Sequence, residues 1–296
     1  MAFELRAAPA AQAAKGPCPR EVVQSPGRPA SDYDPGMRRQ ILGFESPEAV
    51  AQYAAHEFVR RARTAIGARG EFKVALAGGS TPRRTYELLA EPSLSHQVNW
   101  DAIHIFFGDE RSVPLDHQDS NYRTAHEALL SQVSVRESRI HRMEGERSDL
   151  PQAAMSYEHA LTRSFGLEPG SGLPRFDLIM LGMGPDGHTA SLFPGTKALN
   201  ETRAWVVAND VPQMHTRRIT MTATLLNAAR CVMFTVAGPD KADRLAAVLE
   251  GPRDPERLPS QLIAPTDGDL LWLVDHAAAT RLVHEPEDPS KQRDPE

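Results

Sequence analysis

Cysteine is nearly missing from this chain: 2 of 296 residues, Cys18 and Cys231. Two thiols cannot build a disulfide framework, and such sparse use fits a reducing compartment, so a cytoplasmic protein is expected. Long apolar runs are also missing. No stretch approaches the roughly 18 apolar residues of a membrane-spanning helix, so membrane partners are not expected. The opening MAFELRAAPAAQAAKG has no continuous apolar centre, its alanines being interrupted by Pro9, Gln12 and Lys15, and does not read as a secretory signal. An excess of positive charge is lacking too. The 33 Lys+Arg stand against 39 Asp+Glu, a formal charge of −6, which disfavours nucleic acid as the main partner. There is no His-Glu-x-x-His and no Cys/His cluster at zinc spacing, so neither a metal nor another cofactor is indicated. The Gly-x-Ser-x-Gly elbow of serine hydrolases is absent as well.

What is present is a chain 41% hydrophobic, with 24 Pro and 20 Gly, long enough for a sizeable core. Residues 1–38 are rich in Ala, Pro, Gly and Arg without apolar periodicity, and 286–296 are charged and Pro-bearing. Neither segment can bury enough apolar area to offset its ordering entropy, so both are expected to be disordered tails around one domain, 39–285. Inside it, Ser46-Pro47-Glu48 reads as a helix start, with Ser46 as cap, followed by a 3.6-residue stripe of Val50, Tyr53, Ala54, Phe58, Ala62 and Ile66. FKVALA (72–77), IHIFF (103–107), FDLIML (176–181), AWVVA (204–208), RITMT (218–222), CVMFTV (231–236) and DLLWLV (269–274) read as strands. Helical patterns near 121–132, 152–165, 222–230 and 239–250 lie between them. Apolar strands without clean alternation, separated by helices, argue for a sheet buried on both faces. The expected class is α/β, doubly wound, with a mostly parallel sheet flanked by helices. Ligands of such sheets sit beyond the carboxyl ends of the strands.

Chemistry is therefore sought just after each strand. FKVALA is followed by Gly78, Gly79, Ser80, Thr81 and Pro82. Glycines allow a tight turn and a close ligand approach, and the next helix offers free N–H groups, a recipe for an anion site. An ordinary strand–helix turn, with Thr81 as cap and Pro82 behind it, is the plainer alternative. No Gly-Lys-Ser/Thr follows, so it is not a Walker loop. IHIFF is followed by Gly108, Asp109, Glu110 and Arg111, either a polarising group for a polar substrate or a solvated ion-pair cluster. FDLIML leads into GMGPDGHTASLFPG, where Gly182, Gly184 and Gly187 formally match the dinucleotide pattern. That fingerprint needs a full helix after its third glycine, and Pro194-Gly195 stops any helix within two turns. What remains is His188 beside an aspartate at a strand end. Imidazole is the side chain suited to proton transfer near neutrality. Lys241, after CVMFTV and near a helix start, hints at an anion there.

In this order the loops resemble the 6-phosphogluconolactonase family, through ALAGGSTP (75–82), FFGDERSVPLDHQDSNYR (106–123), FDLIMLGMGPDGHTASLFPG (176–195), RRITMT (217–222) and AGPDKA (237–242). The isomerase/deaminase relatives usually carry Ala-Phe-Asn-Glu-Pro where this chain has Thr189 to Pro194, a departure that favours lactonase. The resemblance implies hydrolysis of 6-phospho-D-glucono-1,5-lactone, with a small sugar phosphate as partner and no cofactor. It implies His188 as general base and Asp109 and Arg111 in the catalytic pocket, where Arg111 or nearby backbone N–H groups would stabilise the developing oxyanion and Asp109 would orient or polarise His188. It also implies that Gly78, Gly79, Ser80, Thr81, Arg218 and Lys241 hold phosphate. An amino-sugar-phosphate isomerase/deaminase and a non-catalytic sugar-phosphate sensor are the alternatives.

Overall fold

The computed structural model describes residues 38–168 and 172–291. Apart from Arg38 the expected N-terminal tail lies outside them, as do residues 292–296. In chain order the chain forms β1 (Arg38–Phe44), α1 (Pro47–Arg69), β2 (Phe72–Leu76), α2 (Ser80–Ala90), α3 (Pro92–Ser95), β3 (Ile103–Phe107), β4 (Asp109–Arg111), α4 (Asn121–Ala125) and α5 (Leu150–Phe165). It continues with β5 (Leu178–Leu181), β6 (Val206–Val211), β7 (Thr216–Met221), α6 (Ala223–Leu226), β8 (Cys231–Val236), α7 (Ala242–Leu249), β9 (Asp269–Asp275) and α8 (His276–Ala279). Among the described residues no helix is long and apolar enough to cross a membrane.

The first helix forms where local chemistry puts it. The Ser46 side chain accepts from the Ala49 N–H, Pro47 fills the first turn, and Gly70 ends the helix at φ 79°. Removing the cap by Ser46→Ala costs about 1 kcal/mol. Of the predicted stripe, Val50, Ala54, Phe58 and Ala62 are fully buried, and Tyr53 and Ile66 are half-buried against the same core.

Six strands make a parallel sheet in the order β1-β9-β8-β5-β2-β3. Successive residues of each strand enter different cores, because side chains alternate across the pleat. On β5, Leu178 and Met180 pack on the side of α1 and α2, while Ile179 and Leu181 pack on the side of α5 and α7. Register partners Phe234 and Trp272 stack with centroids 3.8 Å apart on that second side. Each such aromatic or branched side chain contributes about 1.5–3 kcal/mol on burial. The sheet is thus covered on both faces, as the apolar strands without clean alternation predicted, while edge strand β1, RRQILGF, is not among the expected strands.

Two expectations change. AWVVA and RITMT do not join this sheet: β6 and β7 pair antiparallel with β4 in a second, three-stranded sheet ordered β4-β7-β6. The cause is Gly108, between β3 and β4. Its N–H donates to Leu76 O of the first sheet at 3.0 Å, and its carbonyl accepts from Met221 N of the second at 2.8 Å. One residue thereby hands the chain from one sheet to the other. The segment from 286 also has a partner. Glu287 exchanges backbone hydrogen bonds with β1, donating to Ile41 O at 2.7 Å and accepting from Gly43 N at 2.9 Å. Pro286 lies against Gly43, where an added Cβ would sit 3.0 Å from its ring. Backbone pairing to an edge strand, rather than apolar burial, holds Glu287 there.

All six parallel strands end on one edge. It receives the turns after β2, β3, β5 and β8, and thus every loop the sequence singled out.

Candidate active site

The loop after β5 folds back on itself around His188. Gly184 N donates to His188 O at 2.9 Å and Gly187 N to Gly184 O at 3.0 Å, with Gly187 in the left-handed region at φ 86°. A Cβ on Gly184 would lie 2.1 Å from both Cε1 and Nδ1 of His188. The glycine pattern therefore serves close approach of the imidazole to its own backbone. His188 Nδ1 sits 2.5 Å from Asp186 Oδ1, and the His188 N–H donates to the same oxygen at 3.1 Å. A carboxylate only accepts, so this contact places the proton on Nδ1 and leaves the Nε2 lone pair free. Burial pushes the Asp186 carboxyl up, but the ring and backbone donors of His188 outweigh it and hold the group below its usual range. Beneath the imidazole lies the Phe193 ring, centroids 4.0 Å apart and 25° from parallel.

Ser191 anchors this loop. Its hydroxyl donates to Asp109 Oδ2 at 2.6 Å, its N–H to Thr220 Oγ1 at 3.2 Å, and its carbonyl accepts from Asn209 Nδ2 at 2.9 Å. The three partners belong to β4, β7 and β6, so the small sheet holds the histidine loop from one side. Asp109 is correspondingly occupied: Oδ2 takes Ser191 and Oδ1 accepts from Asn121 Nδ2 at 3.1 Å. The expectation that Asp109 orients His188 is corrected here, since the carboxylate on the imidazole is Asp186. Two residues of separation within one turn outcompete a carboxylate that must come from another strand.

The Asp-Glu-Arg run is not a solvated cluster. Glu110 is 3% exposed and accepts from the N–H groups of Arg111, Asn121 and Tyr122 and from the Ser120 hydroxyl. Burial raises its carboxyl pKa above the usual range against those backbone donors. Arg111 donates from Nη1 to Asp119 O at 2.5 Å. Arg218 faces it in register across β4 and β7 and lies over Phe193, Cζ 5.7 Å from the ring centre. The Nε of each arginine is buried without a hydrogen-bond partner among the described residues.

The turn after β2 begins α2 at Ser80, with Gly79 as its cap residue at φ 112°, not Thr81, and no side-chain cap bond among the described residues. Gly78 is glycine for a different reason than ligand approach: a Cβ there would fall 1.9 Å from Asn121 Oδ1. Lys241 closes a short turn before α7 and pairs with Asp240 at 3.0 Å. Along the sheet, Lys241 follows β8 and Ser80 follows β2, the two strands flanking the β5 that carries His188.

Known proteins resemble this chain over most of its length. Residues 45–272 match the family described as glucosamine-6-phosphate isomerases/6-phosphogluconolactonase. The chain belongs to this family. A 6-phosphogluconolactonase of Synechocystis is 44% identical over 223 residues, covering 75% of this chain and 89% of that protein. One from Nostoc is 43% identical over 220 residues, covering 74% and 88%. Among solved structures, 6-phosphogluconolactonase from Trypanosoma cruzi superposes with TM-score 0.73 at 29% identity, covering 83% of this chain and 98% of that one.

Within this 6-phosphogluconolactonase-type chain, sequence reading noted an aspartate beside His188 but gave the orienting role to Asp109, and assigned no role to Ser191, Asn121 or Phe193. The i, i+2 spacing of Asp186 and His188 around a glycine was a usable signal. Nothing local marks Ser191 or Asn121, whose partners come from other strands.

Proposed function

We propose that the chain is a 6-phosphogluconolactonase, an ester hydrolase that opens 6-phospho-D-glucono-1,5-lactone to 6-phosphogluconate. The observation that carries this reading is the Asp186–His188 pair, with its bare Nε2, in a chain of this family. A six-membered lactone is already electrophilic, so water made nucleophilic by one base is enough. Nε2 of His188 takes the proton from water as its oxygen bonds to the carbonyl carbon, and Asp186 supports the imidazolium that forms. The same proton then serves the departing ring oxygen. Ser80 and Thr81, at the open start of α2, and Lys241 hold the phosphate, with Gly79 making the turn and Gly78 setting the loop against Asn121. Asp109, engaged by Ser191 and Asn121, holds the two loops in place and moves no proton.

Purified protein is offered freshly made 6-phosphogluconolactone and, separately, glucosamine 6-phosphate. Acid release above the spontaneous rate is expected with the first. Ammonia release from the second would replace the reading by an isomerase/deaminase, and binding without turnover by a sensor. The phosphate assignment predicts that unphosphorylated gluconolactone is poorer by at least about two orders of magnitude in kcat/KM, the worth of charge-assisted contacts.

A further inference from the structure

Arg218 lies apart from Lys241, the other cation expected to hold phosphate. It is 8% exposed and lies over the same Phe193 ring on which His188 is stacked. Its register partner on the neighbouring strand is Arg111. Burial holds its guanidinium pKa below the ordinary value, and Asp109, Arg111, Glu110 and Asp119 act on it from β4 and the loop that follows. Lys241, by contrast, leaves from β8, beyond β5.

Two like charges directly opposite in an antiparallel pair repel, and a buried N–H without an acceptor is costly. Both arginines leave such an Nε unsatisfied among the described residues. Negative charge arriving beside the pair relieves both penalties. We propose that Arg218, together with Arg111, receives the lactone carbonyl oxygen as it becomes an oxyanion, and afterwards the product carboxylate, rather than the phosphate. This rests on the lactonase reading. A base and an oxyanion site must flank one carbonyl carbon, and His188 and Arg218 both lie over the Phe193 ring.

In the attack, the water oxygen bonds to C1, its proton goes to His188 Nε2, and the carbonyl π pair moves onto the exocyclic oxygen beside the guanidiniums. On collapse that pair re-forms the carbonyl, the C1–O5 bond breaks, and O5 takes the proton from His188. The acid so formed releases one proton to solvent, and its carboxylate faces the same two arginines.

The test compares Arg218→Gln with Lys241→Ala on phosphorylated and unphosphorylated gluconolactone, with inorganic phosphate binding read by calorimetry. Arg218→Gln is expected to lower kcat on both lactones by a similar factor, about 10²–10³, the usual cost of one oxyanion donor. The preference for the phosphorylated lactone and the affinity for inorganic phosphate then stay near wild type. Lys241→Ala is expected to do the reverse, eroding that preference and weakening phosphate binding. Arg218→Lys, which keeps the charge, should recover part of kcat with the preference unchanged, which a mere packing defect would not. If Arg218→Gln instead weakens phosphate binding and loses activity only on the phosphorylated lactone, or has no effect, the proposal is overturned. Failure of the wild-type protein to open the phosphorylated lactone sinks the lactonase reading itself, before any variant is compared.

Discussion

His188 and Asp186 meet at 2.5 Å across one intervening glycine, so the acid that fixes the tautomer and the base that uses it share a single turn. That makes their roles separable by conservative changes. His188→Asn should lower kcat by about two to four orders of magnitude, the worth of a positioned base. Asp186→Asn should also lower kcat, while leaving KM nearly unchanged, because neither residue belongs to the phosphate loop. Steady-state rates, each corrected for spontaneous hydrolysis at the same pH, check both outcomes.

Gly184 is tested by adding one carbon. In Gly184→Ala the new Cβ would start 2.1 Å from the His188 ring, so the imidazole must leave its place. A displacement of about 1 Å in a reacting group can cost on the order of 10²-fold. The expected result is such a loss in kcat with phosphate affinity retained. An active Gly184→Ala enzyme would show that His188 works from a different position.

Ser191 and Asp109 separate anchoring from catalysis. Ser191→Ala removes a donor from a buried carboxylate, which costs about 1–3 kcal/mol. For a domain of this size that corresponds to a melting temperature lower by roughly 2–10 °C. Asp109→Asn should cost kcat far less than Asp186→Asn, since Asp186 supports the imidazole. A loss in Asp109→Asn as large as in Asp186→Asn would restore Asp109 as the partner of His188.

At the opposite edge of the sheet, His104 Nδ1 and His141 Nε2 lie 3.3 Å apart with their rings stacked. Burial first, then nearby cations (Arg139 and Lys73 for His104, Arg163 and Lys73 for His141), lowers each to about 4 from the ordinary 6.5. Glu71, 3.5 Å from His104 Nε2, does not offset this. Between those two values the unfolded chain binds more protons than the folded one, so stability falls as pH drops through that window. Urea denaturation at pH 7, 6 and 5 should show the decline, and a His104→Gln/His141→Gln double variant should show a flatter one. Equal slopes in the two proteins would mean that other groups govern acid lability.

Much of this molecule is written locally. The central strands β5 and β8 are apolar runs buried along their whole length, and the Ser46 cap and its stripe announce α1 without reference to the rest of the chain, whereas edge strand β1, RRQILGF, alternates in burial and gives no strand signal. A histidine following a strand is likewise legible, because parallel topology sends every strand end to one edge. Pairing between distant segments is not local. That AWVVA and RITMT belong to a second sheet depends on Gly108 bonding to two sheets at once, and no periodicity within either strand carries that information. The sequence shows carboxylates at both 109 and 186; only the tertiary structure decides that Ser191 and Asn121 occupy the first and leave His188 to the second. The same holds for Arg218. Its charge is in the sequence, but its place against Phe193 and Arg111 follows from the register of β4 with β7 and the path of the histidine loop, both set by contacts between segments far apart in the chain.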